Sequence, residues 1–79
     1  SAVASGSTRA DAVEALTPRQ REVLLLIAQG LSNSEIEAEL GITRATCRSH
    51  ITALLARLGA RDRAQLVIAA YEAGLISPR

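Results

Sequence analysis

The sequence "SNSEIEAELGITRATCRSHITALLARLG" occupies residues 32–59 and decides the fold. Ser32 and Glu35 have the spacing of a capping box, which begins a helix. Gly41 ends that helix, because glycine readily adopts the left-handed backbone conformation found just after many helices. A longer helix is expected over residues 44–58. A short helix, a glycine turn and a second helix are typical of a helix-turn-helix.

Two further helices are expected outside this motif. The stretch "LTPRQREVLLLIAQG" has Thr17 as N-cap and Gln20 as its capping-box partner, and Gly30 ends the helix. The stretch "RAQLVIAAYEAG" predicts a last helix over residues 63–73. No segment alternates polar and apolar residues with the strand period. We therefore predict an all-α fold of four helices.

The chain divides into a linker and one small domain. Residues 1–15 are small and polar, with little apolar periodicity, and we expect a flexible linker that could form a helical turn near its end. Residues 16–77 form the predicted domain. The single cysteine and the lack of His and Cys clusters indicate no disulfide, metal or cofactor and favour a cytoplasmic setting. No apolar run is long enough for a membrane span.

Charge is distributed unevenly along the chain. Residues 1–42 hold three arginines and six acidic side chains, whereas residues 43–63 hold five arginines and one aspartate. The positive charge therefore lies on and after the second helix of the motif. A basic segment next to a helix-turn-helix favours nucleic-acid binding. All nine basic residues are arginine, which suits forked contacts to phosphates and guanine.

Helix 44–58 has two opposite faces. Apolar side chains recur on one side (Cys47, Ile51, Leu54, Leu55, Leu58) and polar or small ones on the other (Ala45, Arg48, Ser49, Thr52). The apolar side is expected to pack in the core, and the other side is free to enter the major groove, which accommodates an α-helix. We predict that three residues contact bases: Arg48, Ser49 and Thr52.

The sequence closely resembles the LuxR-type helix-turn-helix over residues 16–76. The resemblance rests on "LTPRQREVLLLIAQGLSNSEIEAELGI", on Thr46 and His50, and on "LLARLGARDRAQLVIAAYEAGLI". It is most similar to the effector domains of NarL-type response regulators of two-component systems. The resemblance implies a homodimer that binds double-stranded promoter DNA, regulates transcription and acts with RNA polymerase. It also implies a receiver or sensory domain before the linker.

The resemblance also implies roles for particular residues. It places Ser32, Asn33 and Thr46 at DNA phosphates. Arg44 and Arg57 are added as phosphate contacts because of their charge, although solvated surface arginines would explain them equally well. A dimer interface is expected on the last helix, with four candidates on its outer face: Gln65, Ile68, Ala69 and Glu72. The alternative is that this helix is simply rich in alanine, which favours helices anywhere.

The sequence departs from the family pattern in the first motif helix. Glu37 and Ala38 stand where the family usually has alanine followed by a charged residue, so Glu37 must turn to solvent or find a cation. Arg63 is assigned no DNA contact, because pairing with Glu22 would explain it as well.

Two other functional classes are an enzyme and a protein-interaction module. An enzyme is rejected, because Cys47, Ser49 and His50 point apart on a helix and no acid converges on them. A protein-interaction module that uses helix 63–73 and no longer reads DNA remains the alternative to the DNA-binding hypothesis.

Overall fold

The computed structural model describes residues 8–77, which form five α-helices and no strand. In chain order these helices are α1 (Arg9–Glu14), α2 (Pro18–Ala28), α3 (Asn33–Leu40), α4 (Arg44–Leu58) and α5 (Arg63–Glu72). The predicted all-α class is therefore confirmed. No helix in this described range is long and apolar enough to cross a membrane.

Local capping interactions begin α2, α3 and α4 at the predicted places. Thr17 and Gln20 form a reciprocal capping box, and each of its two hydrogen bonds measures 3.1 Å. Ser32 and Glu35 form another, with distances of 2.7 and 3.2 Å. Thr43 Oγ1 accepts a hydrogen bond from the Thr46 amide at 3.1 Å. These side chains satisfy amides that a helix leaves unpaired in its first turn.

Helix α1 corrects the predicted number of helices from four to five. It lies within the range that was expected to be a linker, and it begins with a capping box between Thr8 and Asp11. Val13 is buried, and α1 packs against α4 and α5. The few apolar residues of α1 are too few to show a helical period in the sequence. They are enough to hold the helix in place once it packs against α4 and α5. Residues 1–7 of the expected linker lie outside the described part of the chain.

The core is built from aliphatic side chains of all five helices. Twelve residues are buried, and they form one cluster: Val13, Leu16, Val23, Leu24, Ile27, Ile36, Cys47, Leu54, Leu58, Leu66, Ala69 and Ala70. No polar or charged side chain in the described range is buried with them. The most extensive helix pairing joins α2 and α5, so these two helices form the support on which the α3–α4 motif rests.

The turn between α3 and α4 sets the geometry of the motif. Gly41 has φ 65° and ψ 38°, a left-handed conformation that costs little for glycine. The amide of Ile42 then donates to the carbonyl of Glu37 at 3.1 Å, which closes the C-terminus of α3. Ile36 and Cys47 are fully buried on either side of this turn. The crossing is thus fixed from inside by apolar contact.

Candidate nucleic-acid interface

Helix α4 presents the predicted polar side chains together on its outer surface. Arg48, Ser49 and Thr52 are all exposed, whereas Cys47 and Leu54 are fully buried on the opposite side. Arg48 and Thr52 are spaced i, i+4, and Ser49 and Thr52 are spaced i, i+3, so the three share one side of the helix. We call Arg48, Ser49 and Thr52 the recognition face. Its side chains carry donors and acceptors of the kinds that read base edges.

The first turn of α4 contains an ordered pair of threonine hydroxyls. Thr43 Oγ1 accepts from the Thr46 amide and donates its hydroxyl hydrogen to Thr46 Oγ1 at 3.0 Å. With its oxygen already accepting, the Thr46 hydroxyl is left to donate outward. Thr46 is exposed. The arrangement therefore presents a directed hydrogen-bond donor beside the recognition face, which suits an anionic oxygen.

The N-terminus of α3 carries the other predicted phosphate contacts. Ser32 is the N-cap and Asn33 is the first helical residue, and both are exposed. The Ser32 oxygen already accepts from the Glu35 amide, so its hydroxyl hydrogen remains to be donated. Unpaired amides and the helix dipole make this end favourable for an anion.

Arg63 makes a contact that the sequence did not reveal. Its Nη1 donates to Asn33 Oδ1 at 2.6 Å, and its Nη2 donates to the Leu31 carbonyl at 2.5 Å. The alternative of an ion pair with Glu22 is wrong in this structure, because Glu22 lies 3.3 Å from Arg19 instead. The partners of Arg63 are 30 and 32 residues away in sequence, and no local pattern predicts such a pairing.

Two exposed arginines mark the ends of α4. Arg44 is its first residue and Arg57 lies in its last turn. Thirteen residues of helix separate them by about 20 Å along the axis. The two side chains can therefore reach only separate stretches of a DNA backbone. Arg57 also has a structural role, since a cation near a helix C-terminus interacts favourably with the dipole.

The outer face of α5 differs from the prediction at one residue. Ala69 is fully buried in the core together with Leu66 and Ala70, so it is wrong as a member of an outer face. Ile68 and Tyr71 are the large apolar side chains that stay exposed in the described residues, at 49% and 40%. Tyr71 was missed, although its spacing of three residues from Ile68 could have indicated it.

The corrected α5 face consists of Gln65, Ile68, Tyr71 and Glu72. Its two polar members already have partners within the chain. Gln65 Oε1 accepts from the Arg61 amide at 2.7 Å, and Glu72 Oε1 lies 3.9 Å from Arg9 Nη1. The apolar pair at the centre of the face is therefore the part that stays exposed to solvent.

Glu37 occupies the crossing between the motif helices without an ion pair to any described residue. It is half-buried, which shows that the crossing tolerates a carboxylate at its edge.

Burial raises the pKa of the Cys47 thiol, and the Glu37 carboxylate raises it further, while Arg63 acts in the opposite direction. A buried thiol with a raised pKa is a poor nucleophile. Cys47 is thus a core residue beneath the recognition face.

Comparison with known proteins places this chain among bacterial regulators. The family described as "Bacterial regulatory proteins, luxR family" matches residues 14–70. The chain is 46% identical over 68 residues to the "Response regulator protein VraR" of Staphylococcus aureus, and equally to those of Staphylococcus saprophyticus and Staphylococcus epidermidis. Each match covers 86% of this chain and 32% of the relative. The chain thus spans about a third of the length of these relatives.

Between Thr8 and Ser77, no cluster of three or more His, Cys, Asp or Glu side chains could hold a metal ion.

Proposed function

The chain belongs to the LuxR family of bacterial regulatory proteins and is an effector domain of a transcriptional regulator; on that premise, we propose that it reads the major groove with α4 as a dimer. Arg48, Ser49 and Thr52 would contact base edges. Ser32, Asn33, Arg44, Thr46 and Arg57 would contact phosphates on either side.

One observation carries this proposal: the recognition face is exposed on a helix whose opposite side holds the fully buried Cys47 and Leu54. Burial of Cys47 and Leu54 fixes the rotation of α4 about its own axis. Arg48, Ser49 and Thr52 therefore cannot turn inward without disrupting the core. A rigid helix that presents short hydroxyls and one forked cation supports base reading more than simple solubility.

The dimer part of the proposal rests on the α5 face. Ile68 and Tyr71 form an exposed apolar pair at its centre, and burial of such a pair favours association. Two copies joined through α5 would direct two α4 helices at successive major grooves. The DNA site should then contain two half-sites about one helical turn apart.

The longer protein is proposed to be a response regulator that acts in the cytoplasm at promoters, together with RNA polymerase. The support is the similarity to response regulators whose length this chain covers by about a third. Residues 1–15 would then connect the DNA-binding domain, residues 16–77, to a receiver domain, and α1 would be the part of that connection that packs on the domain.

Selection from a random pool of DNA duplexes at moderate salt tests the proposal directly. The domain is incubated with the pool, retained duplexes are sequenced, and Arg48→Ala is run in parallel. We expect two enriched half-sites for the wild type. In Arg48→Ala, the base preference at one position should be lost. A single enriched half-site would remove the α5 dimer for this chain but keep the recognition face.

The protein-interaction alternative predicts a different result in the same experiment. A domain that no longer reads DNA would enrich no sequence and would show almost no salt-sensitive binding to unrelated duplex. Self-association through α5 without DNA binding would then support that alternative.

A further inference from the structure

The N-terminus of α5 is tied to the N-terminus of α3 by one guanidinium group. Arg63 is the first residue of α5, and it donates one nitrogen to Asn33 Oδ1 and the other to the Leu31 carbonyl. A planar guanidinium holds both acceptors at once, so it fixes direction as well as distance. The contact joins two helices whose sequences lie 30 residues apart.

This contact determines which way the Asn33 amide points. Arginine has donors and no acceptor, so the atom of Asn33 that faces it must be the carbonyl oxygen. The amide nitrogen and its two hydrogens are then directed away from Arg63. Asn33 is exposed, so these donors remain available to a ligand. An asparagine without this constraint could present either its oxygen or its nitrogen.

We propose that Arg63 is a positioning residue for DNA, which orients the Asn33 amide so that its NH₂ group donates to a backbone phosphate. This inference rests on the proposed function and adds to it a residue that need not touch DNA. A phosphate oxygen can only accept, so the orientation imposed by Arg63 is the productive one. The reversed amide would present an oxygen to an anion and repel it.

A direct contact between Arg63 and phosphate is the competing explanation, and salt dependence separates the two. A cation that neutralises a phosphate releases a counterion, so its removal lowers the salt slope of binding by about one. Asn33 is neutral, and its loss changes affinity without changing that slope. Loss of a positioning arginine should therefore resemble loss of Asn33.

The experiment is a double-mutant cycle measured on DNA binding. Wild type, Asn33→Ala, Arg63→Ala and the double variant are titrated with a selected duplex and with an unrelated duplex at several salt concentrations. We expect about a three- to tenfold loss of affinity for each single variant, equally on both duplexes. The double variant should be no weaker than the single variants, because both remove the same phosphate contact.

Arg63→Lys provides the second test, because it keeps the charge and removes the planar fork. A lysine should retain most of a direct phosphate contact, whereas we expect Arg63→Lys to bind as weakly as Arg63→Ala. Arg19→Ala is the matched control, since it removes one exposed arginine from the start of α2. Thermal unfolding of each variant separates a folding defect from a binding defect.

The outcomes distinguish this inference from the function on which it rests. Additive losses in the cycle, a salt slope lowered by Arg63→Ala, or full binding by Arg63→Lys would each overturn the positioning role while leaving DNA binding in place. Failure of the wild-type domain to bind any duplex would overturn the proposed function and the positioning role together.

Discussion

Arg9 and Glu72 connect the first helix to the last, with Arg9 Nη1 lying 3.9 Å from Glu72 Oε1. The two side chains are 32% and 55% exposed, so solvent screens much of their attraction. Below this surface pair, α1 places Val13 in the core. Helix α1 is therefore held against α5 by apolar burial more than by charge.

Val13→Ala should lower the free energy of unfolding by about 1–3 kcal/mol, because it removes buried methyl groups and leaves a cavity. Arg9→Gln should cost less than about 1 kcal/mol, since exposed ion pairs contribute little. Urea denaturation of both variants measures the difference. Equal, negligible effects would mean that α1 does not pack on α5 in solution.

Arg48→Ala should cost about 1–3 kcal/mol of binding free energy at one base pair and should relax specificity there. The reason is that a forked contact to guanine discriminates between bases. Competition titrations with duplexes changed at single positions measure this loss. A loss of the same size on every sequence would reassign Arg48 to the backbone.

Arg57→Ala should instead weaken binding to all sequences similarly, because a phosphate contact carries no base information. Its removal should also reduce the salt slope by about one. Affinities measured for two unrelated duplexes across a salt series check this. An unchanged slope would leave Arg57 with its helix-dipole role alone.

Thr46→Val should lower affinity for every duplex by about 1 kcal/mol, because it replaces a directed hydroxyl with a methyl group of similar size. The salt slope should stay constant, since threonine is uncharged. Thr43→Ala is the contrasting variant. It removes the N-cap of α4 and should lower folding stability by about 1 kcal/mol, which denaturation detects.

Alkaline pH should destabilise the domain through Cys47. Burial, and then the Glu37 carboxylate, raises the pKa of the folded-state thiol above its ordinary value of 9.0. The unfolded chain therefore ionises first as pH rises. The stability linked to this thiol is fully present below pH 9.0 and is lost as pH rises through the folded-state pKa.

Cys47→Val is the control for this pH effect, because it keeps an apolar side chain and removes the titrating group. The urea midpoint should decrease between pH 7 and about pH 10, and this decrease should be larger in the wild type than in the variant. An identical decrease in the two proteins would show that the thiol does not contribute.

Ile68→Glu should abolish cooperative binding to two half-sites and leave binding to one half-site unchanged. A charge in the centre of the α5 face opposes burial, whereas the exposed position leaves the core intact. Ala15→Glu adds the same charge at an exposed residue after α1 and serves as control. Sedimentation and gel-shift titrations measure both properties. Retained cooperativity in Ile68→Glu would place the dimer interface elsewhere.

Features fixed by local interactions could be predicted from the sequence. The bounds of α4 follow from the Thr43 cap and the glycine at 59, which has φ 61°. The exposed side of α4 follows from the period of its apolar residues. The fold class and the exposure of Arg48, Ser49 and Thr52 could therefore be predicted.

Features fixed by contacts between residues distant in sequence could not be predicted. Helix α5 is apolar on nearly every side, so the spacing of its apolar residues does not reveal which side faces the core. In the structure, Ala69 is buried in the core and Tyr71 stays exposed. Helix α1 has too little apolar content to be recognised without the surface that buries Val13. The orientation of Asn33 depends on Arg63, which approaches only when the five helices have assembled.

The lack of aromatic residues in the core has a consequence for the intrinsic fluorescence of the domain. The chain has no tryptophan or phenylalanine, and its one tyrosine is Tyr71 on the α5 face. Intrinsic ultraviolet fluorescence therefore originates at a single ring, which lies three residues after Ile68 on α5. Pairing of two domains through α5 should change that emission, so the protein reports its own association without a label.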